Sequence, residues 1–364
     1  DILRMEYDDL LSDEFDKDEL TSYSTSGSTG DPIIIYMTYD QYARRDAGKY
    51  RVEDWVGKEP GARSTILWGR FRYEKPMKRL KNYLYWKLRN YQYLSAFDLR
   101  EESLLGYVES IRNHRSRFIE GYVSALYEMA MVMEKHSAQP PPLEGVITGA
   151  EALYDFQREQ IEKSFQCPVF DRYGSSEFKS IASECKNRKG MHINEDALIV
   201  EVVDDDDRPL PAGEQGNILI TDLDNLAMPL IRYRIGDIGV LSDETCGCGR
   251  EFRMLERVIG RETELLRFPD GTKVTGMYIA WRFVRVPGVR RYQVVQRSIS
   301  ELHFLIEEDG TAEQDVIREW IINAFMEARE KGMSLSLEFV DDVPRTKAGK
   351  MKFFVSMIGK DPAE

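Results

Sequence analysis

Five short segments of this 364-residue chain carry residue types that could handle a nucleotide. The first is Thr25-Ser26-Gly27-Ser28-Thr29-Gly30-Asp31-Pro32. Its glycines let backbone N–H groups converge on an anion and its hydroxyls add donors, which is the composition of a phosphate cradle. It is not a Walker loop, because no Gly-Lys-Ser/Thr follows, and on its own such a segment is as often a flexible turn. The others are Tyr173-Gly174-Ser175-Ser176-Glu177, Tyr233-Arg234-Ile235-Gly236-Asp237, Gly260-Arg261-Glu262-Thr263-Glu264 and Pro344-Arg345-Thr346-Lys347-Ala348-Gly349-Lys350. Taken singly, Glu177, Asp237 and Lys350 read as ordinary exposed charges. A separate group, Cys185, His192, Cys246 and Cys248, has the donor set of a Cys3His structural zinc site with no open position for catalysis. The competing reading is reduced free thiols of a cytosolic protein. Cys167, in an apolar stretch, reads as core.

The elements that must position these segments alternate. Ile33 to Tyr36 reads as a strand after the first loop, and residues 57–99, basic and aromatic, read as an amphipathic helix. Two helical patterns flank the short strand Phe118 to Tyr122. Leu143 to Thr148 is a strand ending in Gly149-Ala150-Glu151, Tyr154 to Phe165 a helix, and Pro168 to Phe170 a strand entering Asp171-Arg172-Tyr173-Gly174. Such alternation predicts an α/β sheet with ligand loops at the strand ends. From about 190 to 259 the pattern turns β, and the acidic run Asp204 to Asp207 within it reads as a solvated hairpin tip. Residues 260–364, with strands at 292–295, 302–306 and 335–340 and a helix over 312–329, predict a small α+β domain. The expected fold is therefore a large α/β domain, 1–259, containing a β subdomain, followed by a small C-terminal domain, 260–364.

In this order, the five segments resemble the adenylate-forming superfamily of acyl-CoA synthetases, peptide-synthetase adenylation domains and luciferases. The resemblance runs from Thr25 to Lys350. The segments DRYGSSEF, MHINED, AMPLIRYRIGD and CGCGR narrow it to phenylacetate–CoA ligase and its capsular-polysaccharide-biosynthesis relatives. It implies carboxylate activation by ATP and Mg²⁺ through an acyl-adenylate, with coenzyme A, or another thiol or amine, as acceptor. It assigns Thr25, Ser26, Gly27, Ser28, Thr29 and Gly30 to the phosphates. Gly149, Ala150 and Glu151 fall at one wall of the adenine pocket, Asp171 at the adenine amino group and Tyr173 near the other face of the base, with Arg172, Gly174 and Ser175 as further cofactor-binding positions. Glu177 falls to Mg²⁺, Asp237 to the ribose diol, and Arg261 to the ribose or phosphate. Lys350 bridges the substrate carboxylate and α-phosphate, where an ammonium offsets charge building at phosphorus. The cysteines belong to the same branch, and the implied substrate is an aromatic acid. Trp68, Tyr73, Phe118 and Tyr122 are aromatic candidates for its pocket and equally good core residues.

Two positions depart from the family pattern. Asp31 stands where many relatives carry Lys, and a carboxylate there repels a triphosphate unless it points outward or caps the loop. Thr263 replaces the usual charged hinge residue. Both favour an alternative, a non-catalytic nucleotide-binding protein of polysaccharide assembly. A phosphotransferase yielding ADP is disfavoured by the missing Walker loop and His-Arg-Asp loop. The net charge of −13 argues against a nucleic-acid footprint. No segment has the length and apolarity of a membrane span, so the cytoplasm is expected. A homodimer is left open.

Overall fold

The computed structural model describes residues 10–24, 34–69, 84–261, 265–274, 276–283, 286–346 and 351–358. They form two compact units, Asp1–Val258 and Ile259–Glu364.

The first unit opens with a hairpin, β1 (Thr21–Ser24) against β2 (Ile34–Met37), pairing Ser24 with Ile34. The candidate phosphate loop, Thr25 to Gly30, is the connection of this hairpin and lies outside the described residues, as does Asp31. Helix α1 (Tyr39–Trp55) follows at once. A capping box starts it: the Gln41 N–H donates to Thr38 Oγ1 at 3.3 Å and the Thr38 N–H to Gln41 Oε1 at 2.8 Å.

A parallel sheet comes next, in the order β4 (Tyr91–Ser95), β3 (Ser64–Trp68), β5 (Phe118–Tyr122), β6 (Gly145–Gly149), β7 (Val169–Phe170). The amphipathic helix expected over 57–99 is corrected here: β3 and β4 occupy Ser64–Trp68 and Tyr91–Ser95, residues 84–88 are helical, and residues 70–83 lie outside the described residues. Ser-Thr-Ile-Leu-Trp is β-branched and aromatic, and a parallel strand buried on both faces shows no alternation to read. Helices α2 (Glu101–His114), α3 (Val123–Lys135) and α4 (Asp155–Phe165) cover one face. Leu67, Ile119, Val146 and Val169 meet Leu104, Ile111, Leu126, Met129 and Ile161 there. Each such side chain, fully buried, contributes about 1.5–3 kcal/mol. On the other face Phe118, Ile147 and Phe170 pack on Val56 and Ala62, just after α1.

The antiparallel part contains β8 (Arg172–Tyr173), β9 (Ala182–Glu184), β10 (Met191–Ile193), β11 (Leu198–Val203), β12 (Gln215–Asp222), β13 (Tyr233–Ser242) and β14 (Met254–Arg261). The sheet order is β11-β12-β13-β14-β10-β9-β8. Its core gathers Val200, Val202, Ile218 and Ile220 with Ile35 and Met37 of the hairpin and with Phe178. The acidic run sits in the turn after β11, where Asp204 Oδ1 accepts the Asp206 and Arg208 N–H groups, both at 2.9 Å.

The second unit has a mixed sheet ordered β17 (Ser334–Phe339), β16 (Glu301–Glu308), β15 (Val289–Ser298), β18 (Phe354–Ser356). Phe283, Phe304 and Phe325 centre its core. The helix expected over 312–329 is two helices, Gln314–Ala324 and Met326–Glu330, broken at Phe325. Among the described residues no helix is long and apolar enough to cross a membrane.

Candidate functional site

The C-terminal ends of β5, β6 and β7 present Tyr122, Gly149 and Asp171, where open α/β sheets bind ligands. Ala150 adopts φ +66°, turning the chain sharply out of β6. Glu151 accepts the backbone N–H of Ser124 at 2.7 Å and its hydroxyl at 3.0 Å, so its carboxylate sits at the N-terminus of α3, where negative charge is favoured.

Asp171 is held from several sides. Thr148 donates its hydroxyl to Asp171 Oδ1 at 2.8 Å and the Arg172 N–H donates to the same oxygen at 3.0 Å. The Asp171 N–H donates to Glu184 Oε2 at 2.7 Å, and Arg158 pairs with Glu184 Oε1 at 2.8 Å. Burial pushes the Asp171 carboxyl above its ordinary value, outweighing the Thr148 hydroxyl and the charges of Arg158 and Arg172.

Beyond Asp171 the chain turns through Gly174. A Cβ there would lie 1.9 Å from the Lys179 carbonyl oxygen, so only glycine fits the approach. The turn is closed by the Lys179 N–H donating to the Ser175 carbonyl at 2.8 Å and the Phe178 N–H to Ser175 Oγ at 3.2 Å. Gly174→Ala is expected to cost on the order of 3 kcal/mol and to displace Glu177. Urea unfolding checks this, and an unchanged midpoint would contradict it.

The fold brings two of the five sequence segments together. The Tyr173 hydroxyl donates to Asp237 Oδ2 at 2.7 Å, and Tyr233 lies on the same strand as Asp237 with its hydroxyl 3.4 Å from Glu177 Oε1. Asp237 is buried within β13, beside Gly236 at φ +82°, where the pairing with β12 shifts register. Arg261 lies in the second unit, at the end of β14, and Lys350 and Thr263 lie outside the described residues.

Sequence reasoning missed Arg45. Its buried guanidinium donates to the Glu177 carbonyl and pairs with Asp222, whose side chain is also buried. Asp222 Oδ1 in turn accepts the Asp224 and Asn225 N–H groups at 3.0 and 3.2 Å. Arg45→Ala leaves a buried carboxylate unpaired, and a loss of about 3–5 kcal/mol in chemical denaturation is expected. A loss under about 1 kcal/mol would mean the pair holds nothing, as for an exposed bridge.

Arg172 is set apart from its neighbours in sequence. Its guanidinium pairs with Glu120, on the sheet face that packs against α1. Trp68 and Tyr122 stack at a tilt with centroids 4.2 Å apart, near that end of the sheet. Phe118 sits at the opposite end, lining a cavity of about 280 Å³ with Phe170, Lys186 and Arg188. Tyr73 lies outside the described residues.

The cysteine group converges. The ligand atoms of Cys185, His192, Cys246 and Cys248 all lie within 4.8 Å of one another. Cys185 Sγ is 3.4 Å from Cys246 Sγ and Cys248 Sγ is 3.3 Å from His192 Nε2. Tetrahedral zinc with bonds of about 2.3 Å to sulfur sets such atoms roughly 3.8 Å apart, so the residues fit a metal ion. His192 Nδ1 is 3.4 Å from the Phe252 carbonyl, which fixes the tautomer leaving Nε2 for a metal, and the Asn187 N–H points at Cys185 Sγ at 3.4 Å. Burial and the neighbouring thiols push Cys246 up to about 11. Burial also raises Cys248, but the Arg250 N–H and guanidinium outweigh it and bring the thiol to about 7. Trp55 and Phe252 cover the group, tying β9, β10 and the segment before β14 to α1.

A parallel five-stranded sheet, an antiparallel sheet beside it and a small mixed-sheet unit define the fold of adenylate-forming ligases. CapK and phenylacetate–CoA ligases are homologues of this chain, and its fold is that of the adenylate-forming ligases. Residues 266–357 match the family model of the CapK C-terminal domain. CapK of Staphylococcus aureus is 25% identical over 98% of this chain and 78% of that protein. The phenylacetate–coenzyme A ligase of Thermus thermophilus is 28% identical over 66% of this chain, which spans 60% of that enzyme's length. Among solved structures, 2-hydroxyisobutyryl-CoA ligase in its postadenylation state, in complex with R3-HIB-AMP, superposes with a TM-score of 0.71 at 18% identity, covering 94% of this chain and 74% of that one. The anthranilate CoA ligase AuaEII with anthranoyl-AMP gives 0.66 at 16%, covering 91% and 64%.

Proposed function

We propose that this chain activates a carboxylic acid with ATP, forming an acyl-adenylate and releasing pyrophosphate, and then transfers the acyl group to a thiol, with coenzyme A as first candidate. The observation that carries this reading is the convergence of Asp171, Tyr173, Glu177, Tyr233 and Asp237 at one end of the sheet. In the first step a carboxylate oxygen attacks the α-phosphorus and the bond to the pyrophosphate oxygen breaks. In the second a thiol attacks the acyl carbon and AMP leaves.

The side chains suit these roles. No described residue donates to Asp171 Oδ2, which suits an exocyclic amino group, and its neighbour Oδ1 is already fixed. Tyr173 orients Asp237, whose two oxygens match a ribose diol. Glu177 is steadied by Tyr233 and, through its carbonyl, by Arg45, and so is positioned to hold Mg²⁺ as a hard oxygen ligand. Mg²⁺, when bound, would neutralise charge on the departing pyrophosphate. Ser26, Ser28, Thr29 and Gly30 would cradle the phosphates, Gly149 and Ala150 would border the base, and Lys350 and Arg261 would serve from the small unit. The Cys185–His192–Cys246–Cys248 group would hold a structural zinc.

ATP–pyrophosphate exchange over a panel of aryl, fatty, amino and dicarboxylic acids tests the reading. Exchange dependent on one acid class is expected. ATP binding with no exchange for any acid would instead support the non-catalytic reading that Asp31 favours, and ADP as product would support phosphotransfer.

A further inference from the structure

On the sheet face packed against α1, the side chains change from apolar to ionic toward the C-terminal ends of the strands. Phe118 is followed two residues on by Glu120, on the same face of β5, and Arg172, just past the end of β7, reaches that face through its pair with Glu120. Arg172 pairs with Glu120, and Lys49 and Lys58 both stand 3.8 Å from Glu120 Oε2. Glu53 is 3.0 Å from Lys58 and 3.6 Å from Lys49. Within the cluster three cations thus face two carboxylates, an excess of one positive charge before the neighbouring Asp171 is counted.

Glu53, Lys58 and Glu120 are buried. Arg172 Nη1 and Glu120 Oε2 are shielded from solvent with no hydrogen-bond partner. A buried cluster of this kind adds little to stability over an apolar packing, and unmade hydrogen bonds on charged groups make it worse. Its position gives it a purpose. A Cβ on Gly149 would lie 3.8 Å from Arg172 Nη2, so the guanidinium packs against the loop proposed to border the base. Lys49 is one helical turn beyond Arg45, the residue that holds the Glu177 carbonyl, and its side chain is 32% exposed. The cluster therefore borders the proposed adenylate site from below.

We propose that Arg172 and Lys49, braced by Glu120 and Glu53, form a cationic end of the acyl-binding site, which selects acids bearing a second carboxylate over plain aryl acids. The inference rests on the acyl-adenylate reading above. A second carboxylate at this end takes up the excess positive charge and accepts from the Lys49 ammonium and the guanidinium. A phenyl ring there leaves desolvated cations without an anion.

The test is calorimetric binding of succinate, glutarate and phenylacetate, read beside ATP–pyrophosphate exchange with the same acids. The proteins are the wild type, Lys49→Met and the charge-balanced double variant Glu120→Gln/Arg172→Met. The wild type is expected to bind a diacid at least about ten-fold more tightly than phenylacetate. Lys49→Met should weaken the diacid about ten-fold and spare phenylacetate, and the double variant, where folded, should reverse the preference. Equal binding of both classes by the wild type, or equal weakening of both by Lys49→Met, overturns the proposal. Diacid preference in binding with no exchange for any acid upholds the cationic site and overturns the adenylation reading. Exchange that prefers phenylacetate does the reverse.

Discussion

Replacing Lys350 with alanine is expected to lower acid-dependent ATP–pyrophosphate exchange by on the order of 10³-fold, while transfer from a supplied acyl-AMP to the thiol stays within a few-fold of wild type. The physical reason is that only the first step brings two anions together. A carboxylate approaching the α-phosphate is repelled, and charge builds on the phosphoryl oxygens as the pyrophosphate bond lengthens. An ammonium between them offsets both effects. In the second step the attacked centre is an acyl carbon already activated by its AMP leaving group, and the lysine has no such charge to stabilise. Single-turnover assays that start from ATP and from synthetic acyl-AMP separate the two steps. Equal loss in both would contradict the assignment and point to a folding defect in the small unit.

The Cys246→Ser variant is expected to lose zinc and to melt roughly 6–12 °C lower, the shift for a loss of about 3 kcal/mol in a unit of this size. Cys246 is buried 3.4 Å from Cys185 beside the pair of Cys248 and His192. Without a cation, thiolates at this spacing repel one another; without the thiolates, the cation has no ligand set. A strong chelator should lower the wild-type melting temperature to that of the variant and leave the variant unchanged. Elemental analysis showing less than about a tenth of a zinc per wild-type chain would remove the site, since structural zinc ordinarily stays bound through purification.

The difference between what was legible and what was not is clearest at α1 and β3. Helix α1 buries Gln41, Arg45 and Glu53, so it has no apolar stripe to read, and its signals are the Thr38/Gln41 capping box and little else. It buries polar groups because it runs beside the site, supplying Arg45 to Asp222 and Lys49 to Glu120. Strand β3 failed for the opposite reason: both of its faces are buried, so its side chains do not alternate. The helical spacing of the Lys and Arg residues between β3 and β4, where residues 84–88 are helical, carried the helix reading over both strands. The strands at 118–122, 198–203 and 334–339 and the helix at 155–165 follow their patterns closely, because their partners are ordinary apolar cores.

By itself the sequence determined the alternation of strand and helix, the order of the five candidate segments and the donor set of the cysteine group. These depend on residue type over short stretches: glycine where backbones must approach, carboxylates and hydroxyls where a nucleotide would be held, thiols and imidazole where a metal would fit. The tertiary structure alone decided which charges meet. Tyr173 with Asp237, Arg45 with Asp222 and Arg172 with Glu120 lie from 52 to 177 positions apart. Burying a charge is tolerated only when a partner arrives from elsewhere in the fold, and that compensation leaves no period in the chain. The pairing of Arg172 with Glu120 beside Lys49 was hidden for the same reason, since it depends on α1 and β5 meeting in the fold.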